Sequence, residues 1–234
     1  MLTIDNVRAG YGRTTVLHGL SLTVADGDMI AVLGRNGAGK STLLKAVIGT
    51  VPLSSGTIKL GDQDLSRKKP HRRARAGIAY VPQGRDIFPR LSVLDNLRVA
   101  AYGTRPRDAS QLLEQVLMEF PVLNAKRAEP GGGLSGGQQQ ILALGRALMT
   151  DPRVLLLDEP SEGIQPSIVD QIAETVCRIN GERGITVVIV EQNLDFAAKI
   201  APHAHLMDKG QIVLRVPTKN LISDRLLQHE FLGV

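Results

Sequence analysis

Residues 34–42 read Gly-Arg-Asn-Gly-Ala-Gly-Lys-Ser-Thr and follow directly on an apolar run from Met29 to Leu33. No other segment constrains the fold as strongly. A strand that ends in a glycine-rich loop and restarts as a helix is a device for holding a nucleoside triphosphate. Gly34, Gly37 and Gly39 let the backbone turn its N–H groups toward phosphate oxygens, and Lys40 reaches the outer phosphates. Ser41 offers a hydroxyl to Mg²⁺, and Asn36, Ala38 and Thr42 complete the binding segment. A helix expected from about Ser41 to Ile48 carries an apolar face of Leu43, Leu44, Val47 and Ile48 and stops at Gly49. Its positive end points at the same anion.

The chain has 234 residues, enough for one large domain or a core with an inserted subdomain. Between residues 1 and 60, Leu2 to Arg8, Thr14 to Val24 and Thr57 to Leu60 alternate like strands, with glycines as punctuation. Later, strand Val154–Leu157 precedes a helix from about Pro166 to Asn180, and strand Ile185–Val190 precedes one from about Leu194 to Ile200. Such alternation predicts a mostly parallel sheet with helices packed on it, an α/β fold. Ala204–Met207 and Gln211–Val216 flank Asp208-Lys209-Gly210, a hairpin signal. From about 86 to 150 the pattern turns helical, and this block is expected to form a helical subdomain inserted in a single 1–234 domain. Ser92 with Asp95 opens one of its helices by a capping pattern.

Lysine and arginine exceed aspartate and glutamate by 28 − 23 = 5. The densest basic run is Arg67, Lys68, Lys69, His71, Arg72, Arg73 and Arg75. It holds no aromatic on which a base could stack, so a single-strand nucleic-acid platform is not supported. A solvated helix face is the expectation, with anionic lipid headgroups as the second reading. The single cysteine, Cys177, rules out an intramolecular disulfide and is expected to be buried among apolar residues. No apolar run approaches the roughly 20 residues that cross a bilayer, and the first residues do not follow the basic-then-apolar order of a signal peptide. A membrane role is therefore expected to come through a partner. His203 and His205 have strand-like spacing, but no cysteine or acidic ligand run accompanies them, so no zinc site is expected.

Two further segments carry chemistry. Val154-Leu-Leu-Leu-Asp158-Glu159 is a buried strand with two carboxylates at its C-terminal end, where ligands bind in a parallel sheet. Asp158 is placed to hold the Mg²⁺ shell and Glu159 to act on the attacking water. Leu134-Ser-Gly-Gly-Gln138 leads into an apolar-faced helix. Ser135 and Gln138 satisfy a capping box, while two consecutive glycines weaken a purely structural account. They suit a helix N-terminus that an anion approaches.

Taken together, the phosphate loop, Asp158-Glu159 and Leu134–Gln138 resemble the ATP-binding subunits of ABC transporters over nearly the whole chain. The resemblance implies a phosphate-loop ATPase core with an N-terminal antiparallel β subdomain, binding ATP and Mg²⁺. It implies that Tyr11 stacks on adenine and that Gln83 touches Mg²⁺ and senses a transmembrane permease. Ser135, Gly136, Gly137 and Gln138 would close over ATP held by a second ATP-binding subunit, in a head-to-tail dimer. Lys40, Glu159 and Gln192 would serve hydrolysis.

Two positions depart from the family pattern. Gln192 stands where a histidine usually faces the γ-phosphate, and its amide can hydrogen-bond phosphate without carrying charge. Gln165 stands where an aspartate is common. Val81–Arg90, Gly136–Gln140, Glu159–Pro166 and Glu191–Ala197 resemble the branched-chain amino acid and urea/amide uptake group, with Gly163-Ile-Gln-Pro166 and Pro82-Gln-Gly-Arg85 closer to its urea-type members. The implied setting is the cytoplasmic face of a membrane, on a permease fed by a solute-binding protein, without nucleic acid. The rival reading is an ABC-type ATPase that acts on nucleic acid or the ribosome, although the long coiled coils, zinc cysteines or fused second unit of such proteins are not found in this sequence.

Overall fold

The computed structural model describes residues 1–104, 106 and 108–233. In chain order, β1 (Leu2–Tyr11) and β2 (Thr14–Val24) precede β3 (Met29–Leu33) and α1 (Lys40–Ile48). Then come β4 (Leu53–Leu60), β5 (Gln63–Asp64), α2 (Pro70–Arg75), β6 (Ile78–Val81), α3 (Val93–Thr104), α4 (Ala109–Glu119), α5 (Pro121–Ala125) and α6 (Gly136–Leu148). The remainder alternates β7 (Val154–Asp158), α7 (Pro166–Arg183), β8 (Thr186–Glu191), α8 (Leu194–Ile200), β9 (His203–Asp208), β10 (Gln211–Pro217) and α9 (Thr218–Ser223).

The strands form two sheets. One is antiparallel in the order β2-β1-β4-β5, and the other runs β10-β9-β3-β8-β7-β6. In the second sheet β9, β3, β8, β7 and β6 are parallel, and β10 returns antiparallel on β9. The expected α/β class with an antiparallel β layer is therefore what forms. At the turn between β9 and β10, Lys209 and Gly210 both take positive φ, 42° and 76°, the twist that a two-residue hairpin requires.

A parallel sheet covered on both faces needs apolar residues at every position. Here successive side chains feed two different cores. Ala31, Leu33, Leu155, Leu157, Val187 and Ile189 join a cluster with α3, α4, α6, α7 and α8. Ile30, Val32, Val154, Leu156, Val188 and Val190 join a second cluster with β1, β2, β4 and α1. No helix among the described residues is long and apolar enough to cross a membrane.

The basic run at 67–75 calls for one correction. Arg67, Lys68, Lys69, His71, Arg72 and Arg75 are exposed as a solvated face should be, but Arg73 is only 2% exposed. Its guanidinium donates to the Ala46 and Val47 carbonyls at 2.7 and 2.9 Å, and to those of Ser66 and Lys68 at 3.0 and 2.9 Å. The first two belong to the last turn of α1, whose carbonyls lack helical partners. A planar fork can serve several carbonyls at once, so Arg73 is an internal strut. Cys177 is half-buried against the first core, and its thiol lies 3.5 Å from the Lys199 carbonyl.

Candidate functional site

The phosphate loop is built by close approach. Strand β3 ends at Leu33, in register with Glu191 of β8 and Leu206 of β9. At Gly34 a Cβ would fall 2.3 Å from the Met207 carbonyl oxygen, so no larger residue fits there. The Gly210 N–H donates to the Ala38 carbonyl at 2.9 Å, which ties the loop to the β9–β10 turn. Lys40 is 4% exposed, and its ammonium folds back to donate to the Gly34 and Arg35 carbonyls at 2.8 and 3.2 Å.

Among N–H groups from Gly37 to Thr42, that of Ala38 donates to the Arg35 carbonyl, and the described residues offer the others no acceptor. Free amides at a helix start with no acidic residue in its first turn are what a phosphate chain requires. The residues present thus fit a nucleoside triphosphate.

Strand β7 delivers Asp158 and Glu159 beside this loop. Asp158 is buried and accepts from the Ser41 hydroxyl at 2.8 Å and the Tyr80 hydroxyl at 2.7 Å. Burial, with Asp158 close by, pushes the Tyr80 phenol far up, so it acts as a neutral donor. The Ser41 hydroxyl and the Asp158 carboxylate, 2.8 Å apart, are oxygen donors of the kind that would hold Mg²⁺. No group of three or more His, Cys, Asp or Glu that could hold a metal occurs among the described residues. Mg²⁺ needs no such group, since it takes few protein ligands and completes its shell with phosphate and water.

Glu159 takes a positive φ of 47°, and its N–H donates to the Val190 carbonyl at 2.9 Å. Its carboxylate lies 3.6 Å from the Lys40 ammonium. Burial pushes the Glu159 carboxyl up, with Glu162, Glu191 and Asp158 adding to the rise and Lys40 opposing it. Burial likewise pushes the Lys40 ammonium down, against the pull of the Glu159, Glu191 and Asp158 carboxylates. The Gln83 amide donates to Glu159 at 3.1 Å and to Glu162 at 2.8 Å. Gln192 donates its amide to Asn36 of the phosphate loop.

These groups, Asp158 and Tyr80 apart, face one open cleft, and Asp158 reaches it through its bond to Ser41. Val16, Asn36, Gly37, Gly39, Lys40, Ser41, Thr42, Gln83 and Glu159 line about 390 Å³ of it. An adjoining space of about 520 Å³ is bounded by Gln192, Glu162 and Ser161, with Asn36, Gln83 and Glu159 shared. Tyr11 closes β1 opposite Thr14, 50% exposed, outside that lining. Ser135, Gly136, Gly137 and Gln138 also lie outside it.

At the start of α6 the capping box is complete. The Ser135 hydroxyl accepts from the Gln138 N–H at 3.4 Å, and the Gln138 side chain accepts from the Ser135 N–H at 3.1 Å. The two glycines do not weaken it. Gly137 has a packing reason of its own, since a Cβ there would meet Ile168 of α7 at 2.8 Å.

Sequence reasoning passed over Glu191. This carboxylate is 2% exposed and accepts from the N–H groups of Ser161, Gln192 and Asn193 at 2.9–3.0 Å. It staples the loop after β7 to the loop after β8. An ionisable residue ending the apolar run Ile185–Val190 was the available signal. His205 is buried, and burial with Arg215 nearby pushes its imidazole down to about 4, so it stays neutral.

A parallel sheet with a phosphate loop after one strand and an acidic pair after another defines the phosphate-loop class of nucleoside triphosphatase. A model of the ABC transporter family matches residues 17–162, and the chain belongs to that family as an ATP-binding cassette, an ATPase. It is 39% identical to the high-affinity branched-chain amino acid transport ATP-binding protein BraG of Pseudomonas aeruginosa, over 100% of both chains. It is 34% identical to the probable branched-chain amino acid transport ATP-binding protein LivF of Archaeoglobus fulgidus, over 98% of this chain and 95% of that one. A crystal structure of an ATP-binding cassette of an ABC transporter in its ADP conformation superposes with a TM-score of 0.84 and 27% identity, covering 100% and 99%.

Proposed function

We propose that this chain is the ATP-hydrolysing subunit of an importer for a small polar nitrogenous solute, a branched-chain amino acid or a urea-type amide. The relatives named for branched-chain amino acid transport support the first solute class. The Gly163-Ile-Gln-Pro166 and Pro82-Gln-Gly-Arg85 segments are the reason to keep the second. The protein is a single ATP-binding domain with 86–150 as its helical subdomain, held at the cytoplasmic face of a membrane by permease subunits that a solute-binding protein supplies.

The observation that carries this reading is the meeting of Lys40, Ser41 and Glu159 at one cleft, with Asp158 bonded to Ser41, while the capped helix start at Ser135 lies outside it. Each chain then provides half of two composite sites. The phosphate loop of one binds Mg·ATP, with Tyr11 against adenine, and Ser135–Gln138 of the other covers the γ-phosphate.

Within each site the chain's residues divide the work. Ser41, Asp158 and Gln83 would hold Mg²⁺, which would supply charge neutralisation for the phosphates. Loop amides and Lys40 stabilise charge on the transferring phosphoryl group. Glu159 orients and deprotonates water, and Gln192, anchored on Asn36, positions it.

The test is ATPase activity of the chain reconstituted with its permease, with leucine, valine, urea and acetamide offered in turn. Stimulation by one solute class supports the reading. Turnover that responds only to ribosomes or DNA would replace it with the nucleic-acid alternative. Glu159→Gln should keep ATP binding and lose about 10²-fold or more in turnover.

A further inference from the structure

The Asp158 carboxylate is only 1% exposed, and among the described residues no ammonium or guanidinium pairs with it. A charge taken out of water needs its oxygens hydrogen-bonded and a partner charge. Two hydroxyls meet the first need, one at each oxygen. Ser41 of α1 donates to Oδ1 at 2.8 Å, and Tyr80 of β6 donates to Oδ2 at 2.7 Å.

The sheet sets up the second of these bonds. Strand β6 runs parallel to β7 with Tyr80 opposite Leu156. Asp158 stands two residues farther along β7 and so shares a face with Leu156, the face that packs with α1 in the second core. The Tyr80 ring is half-buried against that core, and its hydroxyl reaches forward to the carboxylate. Ser41 lines the nucleotide cleft and Tyr80 does not. Any effect of Tyr80 on a bound ion must therefore pass through Asp158.

The two bonds decide how Asp158 meets a cation. With Oδ2 held by the phenol, the plane of the carboxylate is fixed and Oδ1 is the oxygen turned to Ser41. A carboxylate used through one oxygen suits Mg²⁺, which is small and demands near-ideal octahedral geometry. Ca²⁺ accepts longer bonds and irregular shells, and takes both oxygens of one carboxylate where they are free. A phenol bound to Oδ2 withholds that option.

We propose that Tyr80 is a positioning residue that restricts Asp158 to one-oxygen use and so sets the preference of the site for Mg²⁺ over Ca²⁺. The inference rests on the reading of Ser41 and Asp158 as holders of the ion. Hydrogen bonds that orient a metal-holding side chain are worth about 10- to 100-fold in metal affinity, so the effect is readable from binding without turnover.

The experiment compares the full chain with its Tyr80→Phe form, which keeps the ring and loses only the hydroxyl. Calorimetry gives ADP affinity with Mg²⁺, with Ca²⁺ and with a chelator in place of either. The readout is the gain in affinity that each ion brings. In Tyr80→Phe the Mg²⁺ gain should fall about tenfold while the Ca²⁺ gain changes by less than about twofold. ADP affinity without an ion should match the parent's. Added to Asp158→Asn, the same substitution should change nothing further, because it acts through the carboxylate.

An Mg²⁺ gain equal to the parent's overturns the proposal. So does an equal fall in both gains, which would leave the hydroxyl with no part in choosing the ion. A loss of ADP affinity without any ion would make Tyr80 a prop of the cleft and would overturn it as well. If the parent chain itself gains nothing from Mg²⁺, the reading of Ser41 and Asp158 fails first and takes this inference with it.

Discussion

Glu159 shares its surroundings with three other carboxylates, of Glu162, Glu191 and Asp158, and with one ammonium, of Lys40. Burial and the like charges favour the protonated acid, and Lys40 favours the carboxylate. The net direction is upward. A residue that must be ionised to take a proton from water loses activity as pH falls through its own pKa. The acid limb of the ATPase profile is therefore expected above the ordinary carboxylate range. Of the contributors, Glu162 can be changed without touching the phosphate loop. Glu162→Gln removes a charge that raises the Glu159 pKa, so the acid limb should move to lower pH. Turnover against pH for the two proteins checks this. A limb that stays in place would mean that another group sets it.

At the scale of elements, α1 shows why some parts of the chain were legible and others were not. Its start, its apolar face and its stop at Gly49 are local signals, and the helix runs Lys40–Ile48 as the pattern implies. Strands β7 and β8 and helix α8 were readable for the same reason, being short apolar or periodic runs between turn residues. Helix α5 was not, because five residues from Pro121 to Ala125 are too few to display a helical period. Nor were the two residues of β5.

Arg73 was misread for a different reason. A run of basic residues looks solvated, and nothing local says that the carbonyls of Ala46 and Val47 lie within its reach. The candidate site divides along the same line. The motifs gave the residues of the loop and the acidic pair. The bonds from Gln83 to Glu159 and from Gln192 to Asn36 span 76 and 156 positions and exist only once the sheet has formed. Arg73→Leu tests the strut at this scale. It strands carbonyls of α1 in an apolar setting and should cost about 3 kcal/mol, or roughly 10 °C in Tm for a chain of this length. Arg73→Lys keeps the charge without the fork and should fall in between. Thermal melts of the three proteins decide it, and a melt of Arg73→Leu that matches the parent's would remove the strut from the account.

In the whole molecule, one sheet separates two cores, and the cleft opens at the ends of β3, β7 and β8, where a parallel sheet offers its loops to ligands. Helix α1 packs in the second core. Glu159 is bonded to Gln83, whose loop leads into the helices of the first core. A nucleotide held by both sides should therefore stabilise the fold as a unit. Linkage sets the size: at a free Mg·ADP concentration of about 100 times Kd the gain is about 2.7 kcal/mol, which raises Tm by roughly 5–10 °C. Removing Mg²⁺ with a chelator should shrink the shift, because Ser41 and Asp158 then lose the ion that joins them to the phosphates. Lys40→Ala should abolish it, since the ammonium is the buried positive charge of the loop. Asp158→Asn should keep a shift that no longer responds to the chelator. A chain whose melt ignored Mg·ADP at millimolar concentration, or whose Lys40→Ala form still responded in full, would not hold nucleotide in this cleft.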